Sequence, residues 1–162
     1  MNQEPTIQNL PERTVAFVSF TGDFAGKSEV FAELFGKLAK WAQPKGLLND
    51  QTVFLSAYPD DPKVTPPEKM TVDACMAIAA ETEVDGEIQK KVLPGGAYVV
   101  QHFELAGPSE YGSAWQDVVK WAEAQGHEID MSRPSYEIYL NNPEEHPEKH
   151  HILDICLSVV PK

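Results

Sequence analysis

Tyr58-Pro59-Asp60-Asp61-Pro62 and Tyr139-Leu140-Asn141-Asn142-Pro143 are two copies of one turn. The residues beyond each copy repeat as well: Pro147 answers to Pro66, Asp154 to Asp73 and Cys156 to Cys75, always 81 positions on. Upstream, Lys40-Trp41-Ala42 with Gly46 recurs as Lys120-Trp121-Ala122 with Gly126 at a spacing of 80. The chain is a duplicated unit, with repeats at about 13–80 and 95–160. Two such units packed about a pseudo-twofold axis leave a cleft between them, the first place to look for a binding site.

At 162 residues and 42% hydrophobic content the chain has material for one compact domain, 1–162, so the repeats must share a core. A formal net charge of −12 repels a phosphate backbone, and neither a basic stripe nor a recognition-helix pattern is present, so direct nucleic-acid binding is not expected. No apolar run is long enough to span a bilayer, and Met1-Asn2-Gln3-Glu4-Pro5 lacks the basic and apolar regions of a signal peptide. The expected compartment is the cytoplasm, with no membrane partner. Cys75 and Cys156 occupy matching strand positions and read as small apolar residues rather than redox groups.

Each repeat reads as strand, helix, strand, strand. Residues 1–11 are polar with two prolines and read as a loose lead-in. Val15 to Thr21 is a strand; from Ser28 to Gln43, Val30, Phe31, Leu34, Phe35, Leu38 and Trp41 recur at helical spacing, and Gly46 follows. Val53–Tyr58 and Thr71–Ala79 are the paired strands. In the second repeat Tyr98–Leu105 is a strand, and Ser113-Ala114-Trp115-Gln116 fits a capping box at a helix start. Ser135–Asn141 and Ile152–Val160 are the closing strands, Glu87–Leu93 is an extra strand, and Pro94-Gly95-Gly96 joins the halves. The expected fold is α+β: a duplicated β-α-β-β repeat forming a pseudo-twofold antiparallel sheet or partly open barrel, with two helices and a central cleft.

In Ser135-Tyr136-Glu137-Ile138-Tyr139-Leu140 the alternation sets Tyr136, Ile138 and Leu140 on one face and Ser135, Glu137 and Tyr139 on the other. If the first face lies against the helices, Glu137 and Tyr139 look into the cleft. The 81-residue spacing makes Ser56 the counterpart of Glu137, so the cleft carries an acid from one half and a hydroxyl from the other. Phe54 and Tyr58 share the face of Ser56, and Tyr98 shares a face with His102. An acid framed by aromatic rings suits a lipophilic cation, and burial there would raise its pKa above about 4.3. The alternative is an exposed glutamate on a solvated sheet face.

Arg13-Thr14-Val15-Ala16, the Tyr58–Pro62 turn followed by Thr65-Pro66-Pro67-Glu68-Lys69, Gly95-Gly96-Ala97-Tyr98, and Pro134-Ser135-Tyr136-Glu137-Ile138-Tyr139-Leu140-Asn141-Asn142 together resemble the GyrI-like small-molecule-binding domain family. This family is related to the effector-binding domains of AraC-type and multidrug-sensing regulators. The resemblance implies a duplicated β-α-β-β fold, a pocket glutamate at Glu137 and pocket aromatics at Tyr139, Tyr98, Tyr58 and Trp115. It implies a binder of hydrophobic or cationic small molecules; some members of the wider family act on gyrase and others hydrolyse cyclopropane-bearing genotoxins. The charged loop from Glu144 to His151 departs from the family pattern.

Other candidates carry less. His146, His150 and His151 with Glu145 and Glu148 match no closed zinc spacing, so the reading is a solvated acidic loop with neither metal nor cofactor. His102 fits a hydrogen-bonded packing residue as well as a proton-transfer group. Trp41 and Trp121 match across the repeat and read as core. Trp115 fits either core or pocket rim, and Tyr111-Gly112 just before it favours the rim. Two functions are consistent with these residues: a protein that binds and sequesters a ligand, which is favoured, and a hydrolase in which Glu137 activates water with Tyr139 as proton donor. The ligand-binding set is Glu137, Tyr139, Tyr98, Tyr58, Trp115, Tyr111, His102, Ser56 and Phe54.

Overall fold

Each copy of the repeated turn is held by the same pair of hydrogen bonds, which explains why two Asx residues stand in each. The Asp60 carboxylate accepts the amide of Thr71 (2.6 Å), and Asn141 Oδ1 accepts that of Ile152 (2.9 Å). Asp61 Oδ1 accepts the amide of Lys63 (2.8 Å), and Asn142 Oδ1 that of Glu144 (3.0 Å). The second of each pair makes an Asx turn, and the first ties the loop to the next strand. The computed structural model describes residues 3–24, 27–61 and 63–161; Pro62, which closes the first turn, and Met1 and Asn2 of the lead-in lie outside the described residues.

Among the described residues eight strands and two α-helices succeed one another: β1 (Thr6–Leu10), β2 (Arg13–Thr21), α1 (Ser28–Ala42), β3 (Phe54–Tyr58), β4 (Thr71–Ala77), β5 (Gln89–Leu93), β6 (Gly96–Leu105), α2 (Tyr111–Ala124), β7 (Ser135–Tyr139) and β8 (His151–Ser158). They form one antiparallel sheet in the order β1-β6-β8-β7-β3-β4-β2-β5, with edges at β1 and β5. The order is symmetric about the central β7–β3 pair, as a pseudo-twofold requires.

Residues 6–10 are not loose. They form β1, which pairs with β6 of the second repeat, while β5 pairs with β2 of the first. Each repeat therefore begins with a strand donated to the other half, and the signal is Leu10-Pro11 matched by Leu93-Pro94. The capping box does not form either. Helix α2 begins at Tyr111, two residues before Ser113, whose hydroxyl instead donates to the carbonyl of Glu110. Both helices stop as their glycines require: Gly46 (φ 71°) and Gly126 (φ 79°) are left-handed, and the amides of Leu47 and His127 return to the carbonyls of Ala42 and Ala122.

Helix α1 buries Leu34, Leu38 and Ala42 over Ala16, Val18, Val72, Ala74 and Met76 of β2 and β4; α2 buries Ala114, Val118 and Ala122 over Val99, Phe103, Leu153, Ile155 and Leu157 of β6 and β8. Each buried Leu or Val contributes about 1.5–3 kcal/mol. The central strands are left at the floor of the channel between the helices. Leu153 and Ile155 lie opposite Tyr139 and Glu137 in the register, so both helices sit on the face of Glu137. The expectation that Tyr136 and Ile138 meet the helices is thus reversed. That face instead joins Val15, Leu55, Cys75, Leu93, Tyr98, Val100 and Cys156 in a core built from both halves. Alternation determines which residues share a face, and helix placement determines what that face meets.

Gly95 lies against the β1–β2 turn, where an added Cβ would stand 2.5 Å from the Leu10 carbonyl oxygen and 2.7 Å from the Glu12 nitrogen. Gly36, on the exposed side of α1, would meet nothing within 4 Å. Urea unfolding should show Gly95→Ala destabilised by about 1–3 kcal/mol and Gly36→Ala stabilised by about 0.5–1 kcal/mol. A neutral Gly95→Ala would contradict the close crossing of the two turns.

Candidate functional site

The pseudo-twofold passes through a single residue pair. In the β3–β7 register Ser56 faces Glu137, and these are also counterparts across the 81-residue repeat. The same operation relates Tyr58 to Tyr139, and Phe35 of α1 to Trp115 of α2. A twofold axis through an antiparallel pair places equivalent side chains side by side, so the acid is flanked by tyrosines from both halves.

Glu137 is 2% exposed and Ser56 0%. Tyr139 and Tyr58 donate their hydroxyls to Glu137 Oε1 (2.7 and 3.0 Å), and Trp115 Nε1–H donates to Oε2 (2.5 Å). Tyr139 spends its single proton on the carboxylate, so the Ser56 hydroxyl donates to the phenol oxygen, 2.7 Å away. Above this network the half-buried rings interlock: Trp115 stands edge-on to Tyr58 (5.8 Å between centroids, 87°), and Phe35 edge-on to Tyr139 (5.7 Å, 87°) and Phe54 (5.9 Å, 87°). Phe24 packs on Tyr58 and on Phe31. Such pairs add about 0.5–1.5 kcal/mol each beyond area burial.

No lysine, arginine or histidine among the described residues pairs with Glu137. Burial pushes its pKa up, and the donors Trp115, Tyr139 and Tyr58 pull it part of the way back. The tyrosines answer in kind: burial first, then the Glu137 charge, drives both Tyr58 and Tyr139 far above the ordinary phenol value, so they stay protonated donors. Tyr111 is likewise raised by burial and by Glu137. Its hydroxyl meets His151 Nδ1 at 2.7 Å, and burial lowers the His151 pKa, which leaves a neutral ring to accept that proton. Once ionised, the acid carries its charge in aromatic surroundings, served by neutral donors and paired with no cation among the described residues.

The structure brings together seven of the nine residues expected to bind ligand: Glu137, Tyr139, Tyr58, Trp115, Ser56, Phe54 and, at the margin, Tyr111. Tyr98 and His102 are corrections. They do share a face of β6, but it is the face away from the helices: Tyr98 is buried against Tyr136 and donates to the Pro134 carbonyl (3.0 Å), and His102 pairs with Asp154. Phe24, Phe31 and Phe35 were missed. Phe35 could have been found, because it stands 80 positions before Trp115, the helix spacing already seen at the tryptophans.

The acidic side chains of the histidine loop, Glu144, Glu145 and Glu148, are exposed as expected of a solvated loop, while half-buried His146 and His150 anchor it. His146 and His150 stack (4.9 Å, 17°), and both approach Glu104 Oε2, at 3.7 and 2.6 Å. These three offer ligand atoms within 4.8 Å of one another. Nearly parallel rings do not aim their lone pairs at one point, and His146 Nδ1 already accepts the Glu148 amide, so the neutral ring carries its proton at Nε2. As arranged, the cluster serves hydrogen bonds better than an ion.

An open, pseudo-twofold antiparallel sheet with two helices on one face is the fold of a small-molecule-binding domain. The chain belongs to the GyrI-like family: the family model described as the GyrI-like small molecule binding domain matches residues 3–160. The SPbeta prophage-derived putative transcriptional regulator YosT of Bacillus subtilis (strain 168) is 31% identical over 71% of this chain and 77% of its own. DNA gyrase inhibitor 1 of Dickeya dadantii (strain 3937) is 22% identical over 84% of this chain and 87% of its own. EcmrR, solved in a complex with DNA, superposes with a TM-score of 0.77 at 18% identity over 99% of this chain and 58% of that one; its C-terminal domain alone is covered to 98%. A protein solved bound to tetraphenylphosphonium superposes with a TM-score of 0.64 at 15% identity, over 98% and 94% of the two chains. No helix among the described residues is long and apolar enough to cross a membrane.

A raised acid pKa has a definite sign in the linkage. The protonated form is favoured in the native state, so this group's contribution to stability is present below the unfolded value of about 4.3 and is lost as pH rises through the native value. Unfolding free energies measured from pH 4 upward should fall more in wild type than in Glu137→Gln, the difference in slope reaching at most about 1.4 kcal/mol per pH unit. Parallel profiles would show that the acid is not desolvated.

Proposed function

We propose that this chain captures hydrophobic cations in the groove between α1 and α2, with Glu137 as their counter-ion, and sequesters them in the cytoplasm. The observation that carries this reading is a buried carboxylate with three neutral donors, a roof of aromatic rings and, among the described residues, no partner of opposite charge. A cation entering there gains the ion pair in a poorly solvated site and the faces of the rings together. The tetraphenylphosphonium complex of a protein with the same fold supports that ligand class. Modulation of DNA gyrase, or protection against toxic compounds, belongs to the same proposal, and the gyrase part draws on the name of the Dickeya dadantii relative.

Calorimetric titration with tetraphenylphosphonium should give an affinity that Glu137→Gln weakens by about 1.5–4 kcal/mol, roughly ten- to a thousandfold, with the circular dichroism spectrum unchanged. Affinity should rise with pH across the interval in which Glu137 ionises. Equal binding by both proteins would remove the acid from the site.

One feature favours a second reading, hydrolysis of strained, cyclopropane-bearing electrophiles. Two tyrosine hydroxyls converge on Glu137 Oε1, which places proton donors beside a base. With catalytic amounts of protein, a ring-opened, water-added product should form, and Glu137→Gln should slow it about 10²- to 10⁴-fold, Tyr139→Phe less. Ligand recovered unchanged after prolonged incubation leaves sequestration as the function.

A further inference from the structure

The duplicated scaffold carries a second pair of equivalent acids, Asp73 on β4 and Asp154 on β8, on the face away from the helices. Their surroundings correspond position by position in the strand registers: Ser19 and His102 stand opposite the two acids, Phe17 and Val100 opposite the two cysteines, and Lys91 of β5 and Gln8 of β1 opposite Val15 and Tyr98. In the first half the place is filled. The Lys91 ammonium bonds Asp73, as does the Ser19 hydroxyl, and lies over the Phe17 ring at 4.2 Å from its centroid. Asp73 is thereby left 3% exposed.

In the second half no ammonium arrives from the described residues. Gln8 replaces Lys91 and donates to its neighbour Thr6 (3.1 Å) instead of reaching across. Asp154 meets His102 through Oδ1 (3.0 Å), its side chain 29% exposed, and a cavity of about 290 Å³ opens beside it, bounded by Glu4, Thr6, Gln8, Val100 and His102. The protein's own lysine shows what this scaffold places against an acid here.

We infer that the Asp154 cavity is a binding site for a primary ammonium group carried by a small aliphatic amine, which takes the position that Lys91 occupies in the other half. The ammonium donates to Asp154, beside Val100, as the Lys91 ammonium donates to Asp73 and lies over Phe17. This site is separate from the Glu137 groove, on the other face of the sheet.

The probes are n-butylamine and 1,4-diaminobutane, with n-butanol as the uncharged control, followed through the His102 ring resonances by NMR. Both amines should shift these resonances saturably, and butanol should not. Asp154→Asn should weaken the amines at least about tenfold, the loss of a charge-assisted hydrogen bond. Gln8→Lys should rebuild the internal pair, abolish amine binding and raise the unfolding midpoint by about 2–4 °C. Glu137→Gln should leave amine binding as in wild type, while Asp154→Asn leaves tetraphenylphosphonium binding as in wild type. Amines that fail to bind, bind equally to Asp154→Asn and Gln8→Lys, or are lost in Glu137→Gln would overturn the assignment.

Discussion

The antiparallel pairing of β3 with β7 is the constraint on which the rest depends. It joins the two repeats into one sheet, and because the pseudo-twofold runs through it, Ser56 and Glu137 are equivalent residues of the two halves set directly opposite each other. A charge put at that position is buried by both halves at once. A symmetric acid would bring two carboxylates into contact in a desolvated channel, where one could not stay ionised. Serine in one half resolves this, and it also supplies the hydroxyl that completes the donor chain through Tyr139 to Glu137.

The second constraint is the exchange of leading strands. Strands β1 and β5 each pair with the opposite repeat, so the halves are fastened at the outer strands as well as at the axis. This frees the strip between the helices from a purely structural duty. Helix α1 packs over β2 and β4 and α2 over β6 and β8, and the channel floor carries polar groups that a sealed core would not tolerate unpaired. Edge-on contacts from Phe35 and Trp115 roof that floor from both sides.

Duplication also explains how one scaffold offers different chemistry in equivalent places. The turns, helix caps and apolar core are kept in both copies because they perform the same backbone task twice, as the Asx bonds of Asp60 and Asn141 show. The differences fall on polar side chains: Ser56 against Glu137 at the axis, and the Lys91–Asp73 pair against Gln8 and Asp154 on the opposite face. A backbone bond is indifferent to the half in which it is made, whereas glutamine in place of lysine leaves Asp154 with His102 but without the ammonium that Asp73 receives.

The duplication, the element order, the alternation of each strand and the pairing of Ser56 with Glu137 were all legible along the chain, because turn chemistry and side-chain periodicity are local and survive as spacings. Strand β1 is the exception: its polar residues hide the period and read as a loose lead-in, and only the match of Leu10-Pro11 with Leu93-Pro94 marks it along the chain. Which face of the sheet meets the helices came from packing, and that choice separated Tyr98 and His102 from Glu137. A period of two states that neighbours point apart and is silent on what lies above either face. Packing also set Trp115, a residue on a different element, as a donor to Glu137, and closed Asp73 with an ammonium while Asp154 stands open. Those contacts join positions far apart in the chain, and only the folded arrangement brings them within hydrogen-bond reach.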